Sequence, residues 1–163
     1  MESESFSKIQ LPLWDELPNF GLHIDQLLKV TNTFLKPIID IPVTRTMIQN
    51  YFKNGILDRP NHKYYERKQI GGAIVVGLLK NIFTLNELKE ALRWILSENK
   101  AKEGYNYFIR MFNYQIQKPN LHNQKGSYNF NIILPNKTVI LENYAVKSIL
   151  YWLFAKRLLN KKS

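Results

Sequence analysis

The chain has no cysteine, and this absence excludes disulfide bonds, thiolate metal sites and cysteine nucleophiles. Acids are scarce, because 13 Asp and Glu stand against 23 Lys and Arg, and the formal net charge is +10. No apolar run approaches the roughly 20 residues that a membrane-spanning helix needs. The first ten residues, MESESFSKIQ, are acidic and polar, unlike a signal peptide. We therefore expect a cytoplasmic protein that does not enter membranes and whose preferred partners are polyanions, nucleic acid first.

The sequence patterns of catalytic and metal sites are also missing. The three histidines, His23, His62 and His122, are scattered and form no HExxH motif. The glycine-rich stretch IGGAIVVG at 70–77 matches neither GxxxxGK[ST] nor GxGxxG, and we interpret its glycines as sites of close helix packing. We expect no enzyme activity, no metal and no cofactor.

Hydrophobic periodicity and capping signals predict a mostly α-helical chain. The first helix is predicted at about 22–35. A shorter helix at 44–54 follows, with Thr44 as its N-cap and Gly55 as its C′ residue. The further helices are predicted at about 67–81, 84–96, 103–117 and 139–159, the second of these opening with the capping box Thr84-x-x-Glu87. The segment 118–135 is predicted to be a loop, in which 130–134 could form a short strand.

The helix at 44–54 has a polar face without any acid. Its apolar side chains lie on the opposite side, with Tyr51 at the boundary. Arginine suits guanine in the major groove, and glutamine or asparagine suits adenine. A solvated helix face would explain the charge pattern equally well. The polar face consists of Arg45, Gln49 and Lys53 at i, i+4 and i+8, with Thr46 and Asn50 beside them.

The order of signals around this helix resembles the winged helix-turn-helix of the MerR regulator family. Gln49 stands where that family usually has arginine, and the wing is compressed to Pro60-Asn61-His62. The resemblance implies that the helix at 44–54 reads bases and that the short wing at 58–65 contacts DNA. The matching residues are Thr44, Ile48, Tyr51, Gly55, Ile56, Leu57, Lys63, Tyr65 and the box Phe83, Thr84, Leu85, Glu87 and Leu88.

A closer resemblance covers nearly the whole chain. It is carried by LPLWDELP at 11–18, HIDQ at 23–26, TRTMIQNYFKNGIL at 44–57 and AVKSILYWLFAKRLL at 145–159. These stretches are similar to a bacterial family of unknown function, domain of unknown function 1836. The resemblance implies a MerR-like DNA-binding half joined to a helical half, and it implies neither a ligand nor a reaction.

We therefore predict a mostly α protein in three parts: an extended arm at 1–21 packing on the body, a MerR-like winged helix-turn-helix at 22–98 and a helical C-terminal lobe at 99–163. The predicted function is sequence-specific binding of double-stranded DNA by a transcriptional regulator. A protein-interaction module on the same scaffold, without DNA binding, is the alternative. The candidate DNA contacts are Arg45, Thr46, Gln49, Asn50, Tyr51, Lys53, Arg59, His62, Lys63, Tyr65 and Arg67.

The C-terminal lobe carries two apolar features with alternative interpretations. The aromatic stripe Tyr105, Phe108 and Phe112 predicts core packing, with a small-molecule effector pocket between the last two helices as the alternative. A single recognition helix contacts too few base pairs to select a site, so a homodimer is expected. Apolar residues on several faces of the last helix predict that it forms the dimer contact, or else is buried within a monomer. These residues are Ile149, Leu150, Trp152, Leu153 and Phe154.

Overall fold

The computed structural model describes residues 8–97, 100–117 and 137–160. These ranges contain a 3₁₀ turn at Trp14–Glu16 and six α-helices, and within them no strand is formed. The prediction of a mostly α-helical protein is confirmed for this part of the chain, whereas the predicted loop at 118–135, with its short strand, lies outside it. The helices are α1 Ile24–Leu35, α2 Arg45–Lys53, α3 Arg67–Leu79, α4 Leu85–Ile95, α5 Ala101–Ile116 and α6 Lys137–Asn160.

Local capping fixes both ends of α2 as predicted. The Thr44 hydroxyl accepts a hydrogen bond from the Met47 N–H at 3.2 Å. At the other end Gly55 has φ +65°, and the Ile56 N–H donates to the Tyr51 carbonyl at 2.8 Å. A left-handed C′ residue with this hydrogen bond ends a helix abruptly and turns the chain back. The two caps confine α2 to nine residues.

The central helix is α3, whose residues 70–79 are all buried. It packs along α1 and also contacts α4, α5 and α6. A Cβ at Gly72 would lie 2.6 Å from the Leu57 side chain, and one at Gly77 would overlap Leu35. These glycines therefore allow the neighbouring elements to approach closely, and the prediction that they serve packing rather than phosphate binding is confirmed.

One hydrophobic core runs through both predicted halves of the chain, from Leu11 of the arm to Leu153 of α6. The predicted aromatic stripe Tyr105, Phe108 and Phe112 is fully buried in it. These rings fill the interface that α5 makes with its neighbours, which confirms core packing for them.

The inner side of α6 contains three of the five apolar residues that were predicted to form a dimer contact or to be buried within a monomer. Ile149, Leu150 and Leu153 are all buried in the core, and Trp152 and Phe154 are half-buried against it. The three buried side chains are therefore used within the molecule, whereas Trp152 and Phe154 keep part of their surface exposed.

The N-terminal arm is held by side chains of α5. The Leu11 N–H donates to Asn113 Oδ1 at 2.8 Å, and Asn113 Nδ2 donates to the Leu11 carbonyl at 2.9 Å. The Trp14 N–H donates to Asn106 Oδ1 at 2.8 Å, and the Tyr105 hydroxyl donates to the Pro12 carbonyl at 2.9 Å. Side chains of one helix thus supply the hydrogen-bond partners that an extended backbone would otherwise find in a sheet.

Candidate nucleic-acid interface

The outer face of α2 is open and carries no carboxylate of its own. Ile48 and Tyr51 bury the inner side of the helix in the core. Because the buried and exposed positions alternate with the helical period, the polar side chains all project from one side. The exposed residues are Arg45, Thr46, Gln49, Asn50 and Lys53, as the sequence predicted.

The segment that enters α2 is fixed by two neighbouring helices. The Asn32 side chain of α1 forms two hydrogen bonds with the backbone of Val43. Its Oδ1 accepts from the Val43 N–H and its Nδ2 donates to the Val43 carbonyl, each at 2.8 Å. Lys80, which follows α3, donates to the carbonyls of Ile41 and Pro42 at 3.1 and 3.2 Å. Partial burial lowers the pKa of this ammonium group. The start of α2 is therefore positioned by the scaffold rather than by a free loop.

An acid from a different helix lies against the first cation of this face. Asp25, in the first turn of α1, forms an ion pair with the Arg45 guanidinium. The side chains remain 77% and 50% exposed, respectively, so water screens the pair and a stronger anion can displace Asp25. Sequence reasoning missed this contact because the two residues belong to separate helices.

The wing is a tight turn built from non-glycine residues. The Tyr64 N–H donates to the Asn61 carbonyl at 2.9 Å, and the two central residues have positive φ, 49° at His62 and 76° at Lys63. This combination defines a type I′ turn, for which Asn-Gly is the favoured central pair. Holding non-glycine residues in the left-handed region costs about 1–2 kcal/mol each. Both strained side chains are exposed at the tip of the turn.

The wing joins α2 through an aromatic contact at its base. Tyr65 stacks on Phe52 of α2 with ring centroids 5.4 Å apart, and its backbone pairs with Leu22 through two hydrogen bonds of 2.9 Å. Burial raises the pKa of the Tyr65 hydroxyl, while the nearby Arg45 charge lowers it. Arg45, Tyr65 and the wing thus lie on one surface, which we call the α2–wing surface: Arg45, Thr46, Gln49, Asn50 and Lys53 of α2 with Arg59, His62, Lys63 and Tyr65.

Two of the predicted contact residues do not belong to the α2–wing surface. Tyr51 is only 5% exposed, and burial raises the pKa of its hydroxyl, so it is a core residue. Arg67 turns towards the arm, where its Nε donates to the Leu17 carbonyl at 3.2 Å and its Nη1 lies 3.8 Å from an Asp15 carboxylate oxygen. We therefore remove both residues from the candidate contacts. The sequence could not reveal the arm contact because about fifty residues separate Arg67 from its partners.

One further cation near α2 was not found from the sequence. Lys89 of α4 is exposed, and a Cβ at Gly55 would lie 3.5 Å from its Nζ. It therefore adds positive charge at the C-terminal end of α2. Lys68, by contrast, forms an ion pair with Asp58. Lys89 belongs to a helix that begins 32 residues after α2 ends, and no local pattern predicts that proximity.

The surface suits the recognition of a polyanion by hydrogen bonding and charge. Its amides can donate and accept, its cations can contact phosphates, and neither requires a bound ion. Within the described residues, no three His, Asp or Glu side chains come together in a group that could hold a metal ion. Of the helices described above, none is long and apolar enough to cross a membrane.

Comparison with known proteins places the chain in a family whose function is unknown. The chain belongs to the family described as a domain of unknown function (DUF1836), which matches residues 12–113, more than half of the sequence. Neither a curated protein nor a solved structure matches the chain.

Proposed function

We propose that this protein is a sequence-specific DNA-binding transcriptional regulator, with a MerR-like winged helix-turn-helix that reads DNA through α2 and the wing. The observation that carries the proposal is the α2–wing surface, in which an acid-free helix face and a cationic turn are joined by the Phe52–Tyr65 stack. The order of α1, α2, wing, α3 and capped α4 supports the winged-helix assignment.

The two parts of the surface have different roles. Gln49 and Asn50 project from the middle of α2, where side-chain amides can pair with adenine in the major groove. Lys53 ends α2, and Arg59 and Lys63 are exposed in the wing segment, where cations can contact phosphates and set the register on the duplex. Backbone strain at Lys63 supports a functional wing, because a glycine would relieve the strain but would remove the cation.

Asp25 acts as an internal competitor for Arg45. The ion pair occupies one N–H group of the guanidinium, so a guanine edge competes with Asp25 for that donor and for the orientation of the side chain. A duplex with a guanine in reach gives Arg45 a bidentate partner and releases Asp25, whereas another sequence leaves the pair in place. The acid therefore increases discrimination at the expense of affinity.

Fluorescence anisotropy with labelled duplexes, repeated over a range of salt concentrations, tests the proposal. If about five phosphates are neutralised, log K should fall against log salt with a slope of about −4 to −5.

Lys63→Ala should weaken binding to all sequences about equally, whereas Gln49→Ala should relax preference at particular base pairs by about 1–3 kcal/mol. Asp25→Asn should tighten binding to random duplex.

The matched control is Lys137→Ala, which removes an exposed lysine from α6 rather than from the α2–wing surface. It should leave the affinity unchanged if the charge must be at that surface. Absence of binding at low salt would refute the proposal and favour the alternative, a protein-interaction module on this scaffold.

A further inference from the structure

A straight, uncharged row of side chains runs along the exposed side of α6. Its members follow one another in steps of four, three, four and three residues, the spacing of a helix–helix contact. Tyr144, Tyr151 and Leu158 are exposed by 66%, 53% and 70%, although the opposite side of α6 is buried. We call this row the α6 seam: Tyr144, Ser148, Tyr151, Ala155 and Leu158.

The α6 seam can be dehydrated at little cost. Its one aliphatic hydroxyl, that of Ser148, already donates to the Tyr144 carbonyl at 2.8 Å within the helix. Ser148 therefore behaves as a small side chain whose donor is satisfied without water. Half-buried Trp152 and Phe154, which pack against the core, border the seam and extend its apolar width. An exposed apolar row of this kind marks an interaction surface.

We propose that the α6 seam is the contact between two copies of this chain, paired antiparallel about a two-fold axis. The seam alternates large and small side chains, so an antiparallel register places Tyr144 opposite Ala155 of the partner subunit and Tyr151 opposite Ser148 of the partner subunit. The two-fold axis repeats both contacts in the reciprocal sense, as an isologous interface requires. Each tyrosine ring thus enters the space above a small residue.

A parallel pairing fits the same residues poorly. It would set each tyrosine against its own copy and each small residue against another small residue, which leaves gaps between the layers. It would also align the two helix dipoles and bring the basic C-terminal ends of α6 together. The antiparallel arrangement opposes the dipoles.

The five residues of the α6 seam are uncharged in a chain with net charge +10. Over about 21 Å of helix the seam holds no charged side chain. The antiparallel register places Lys156 and Arg157 at opposite ends of the pair, more than one Debye length from their symmetry mates. Lys156 is further balanced by an ion pair with Asp40 at 2.9 Å. The five seam residues therefore add no charge repulsion of their own, although Lys147 borders the row between Tyr144 and Tyr151.

The exposed area sets the strength of the contact. With fully buried aromatic side chains covering 150–250 Å² each, the seam and its borders can bury roughly 500 Å² per copy, or about 1,000 Å² in total. This total lies at the low end of specific interfaces. We therefore expect a dimer that dissociates in the micromolar range.

Sedimentation equilibrium of the full chain tests the proposal without DNA, so the result does not depend on the proposed function. Wild type should pass from monomer to dimer as the concentration rises to about 100 µM. Tyr151→Lys and Leu158→Lys should each weaken self-association at least about tenfold, because each would place an unpaired charge in the contact. Phe20→Lys, at a residue 63% exposed in the arm region, is the matched control and should still dimerise.

Cysteine cross-linking tests the register, and the natural absence of cysteine makes it selective. A mixture of Tyr144→Cys and Ala155→Cys chains should form a disulfide dimer, whereas either variant alone should form far less. A monomeric wild type at about 100 µM would overturn the proposal. Efficient cross-linking of each variant with itself would overturn it as well, because it would require a parallel pair.

Discussion

Among the single residues, Glu142 is an acid placed where its charge is poorly tolerated. It is 1% exposed on the inner side of α6, and its Oε1 has no hydrogen-bond partner among the described residues. Burial raises the pKa of this carboxyl group from 4.5 to about 8. The negative charge in turn raises the pKa of the nearby Tyr107 hydroxyl, which burial has already raised.

Glu142 should make the stability of the protein fall as the pH rises. The pKa of Glu142 in the folded protein lies above its pKa in the unfolded chain. The contribution of this group to the free energy of unfolding is therefore fully present below about pH 4.5 and is lost as the pH rises through about 8. One pKa unit corresponds to about 1.4 kcal/mol, so the loss is on the order of 3 kcal/mol or more.

Urea unfolding of wild type and Glu142→Gln at about pH 5 and about pH 9 measures this loss. The amide variant cannot ionise, so we expect it to be the more stable protein at the higher pH, with a smaller difference at the lower pH. Equal pH dependence of the two proteins would show that Glu142 is ionised in the folded state.

Among the elements, the arm depends on hydrogen bonds from α5. Asn113→Ala removes both contacts to Leu11, and we expect it to lower the free energy of unfolding by about 1–3 kcal/mol. Amide hydrogen exchange should show faster exchange at Leu11. Asn106→Ala, which removes the bond to the Trp14 N–H, should instead accelerate exchange at Trp14. Unchanged protection of Leu11 in the Asn113 variant would show that apolar burial alone holds the arm.

Local features of the elements could be predicted from the sequence because their causes are local. The Thr44 cap, the left-handed Gly55 and the Thr84–Glu87 capping box all depend on residues within five positions of one another, and all three occur in the structure. The glycines of α3 were interpreted correctly because no phosphate motif fitted them.

Contacts between distant residues could not be predicted. The helical period left Tyr51 at the edge of the polar face, and only the packing of α2 on its neighbours decides that it is buried. Arg67 was predicted to contact DNA, but residues of the arm supply its acceptors. The Asp25–Arg45 ion pair depends on the angle at which α1 and α2 meet, for which the sequence has no signal.

For the molecule as a whole, the continuous core predicts cooperative unfolding. Side chains of the arm, α3 and α6 belong to one cluster, so the division into 22–98 and 99–163 should not correspond to independently stable units. Tryptophan fluorescence, with Trp14, Trp94 and Trp152 distributed over the arm, α4 and α6, and far-ultraviolet circular dichroism should give the same midpoint in urea. Two separated transitions would show that the halves fold independently.

The hydrogen bonds between the arm and α5 also have a consequence for the synthesis of the chain. The Asn106 and Asn113 side chains lie 92 and 102 positions after the backbone groups that they bind. Ribosomes add about 5–20 residues per second, so the partners of the arm are synthesised about 5–20 s after it. During that interval Leu11 and Trp14 have no α5 to cover them, so this apolar segment stays exposed until α5 has been made.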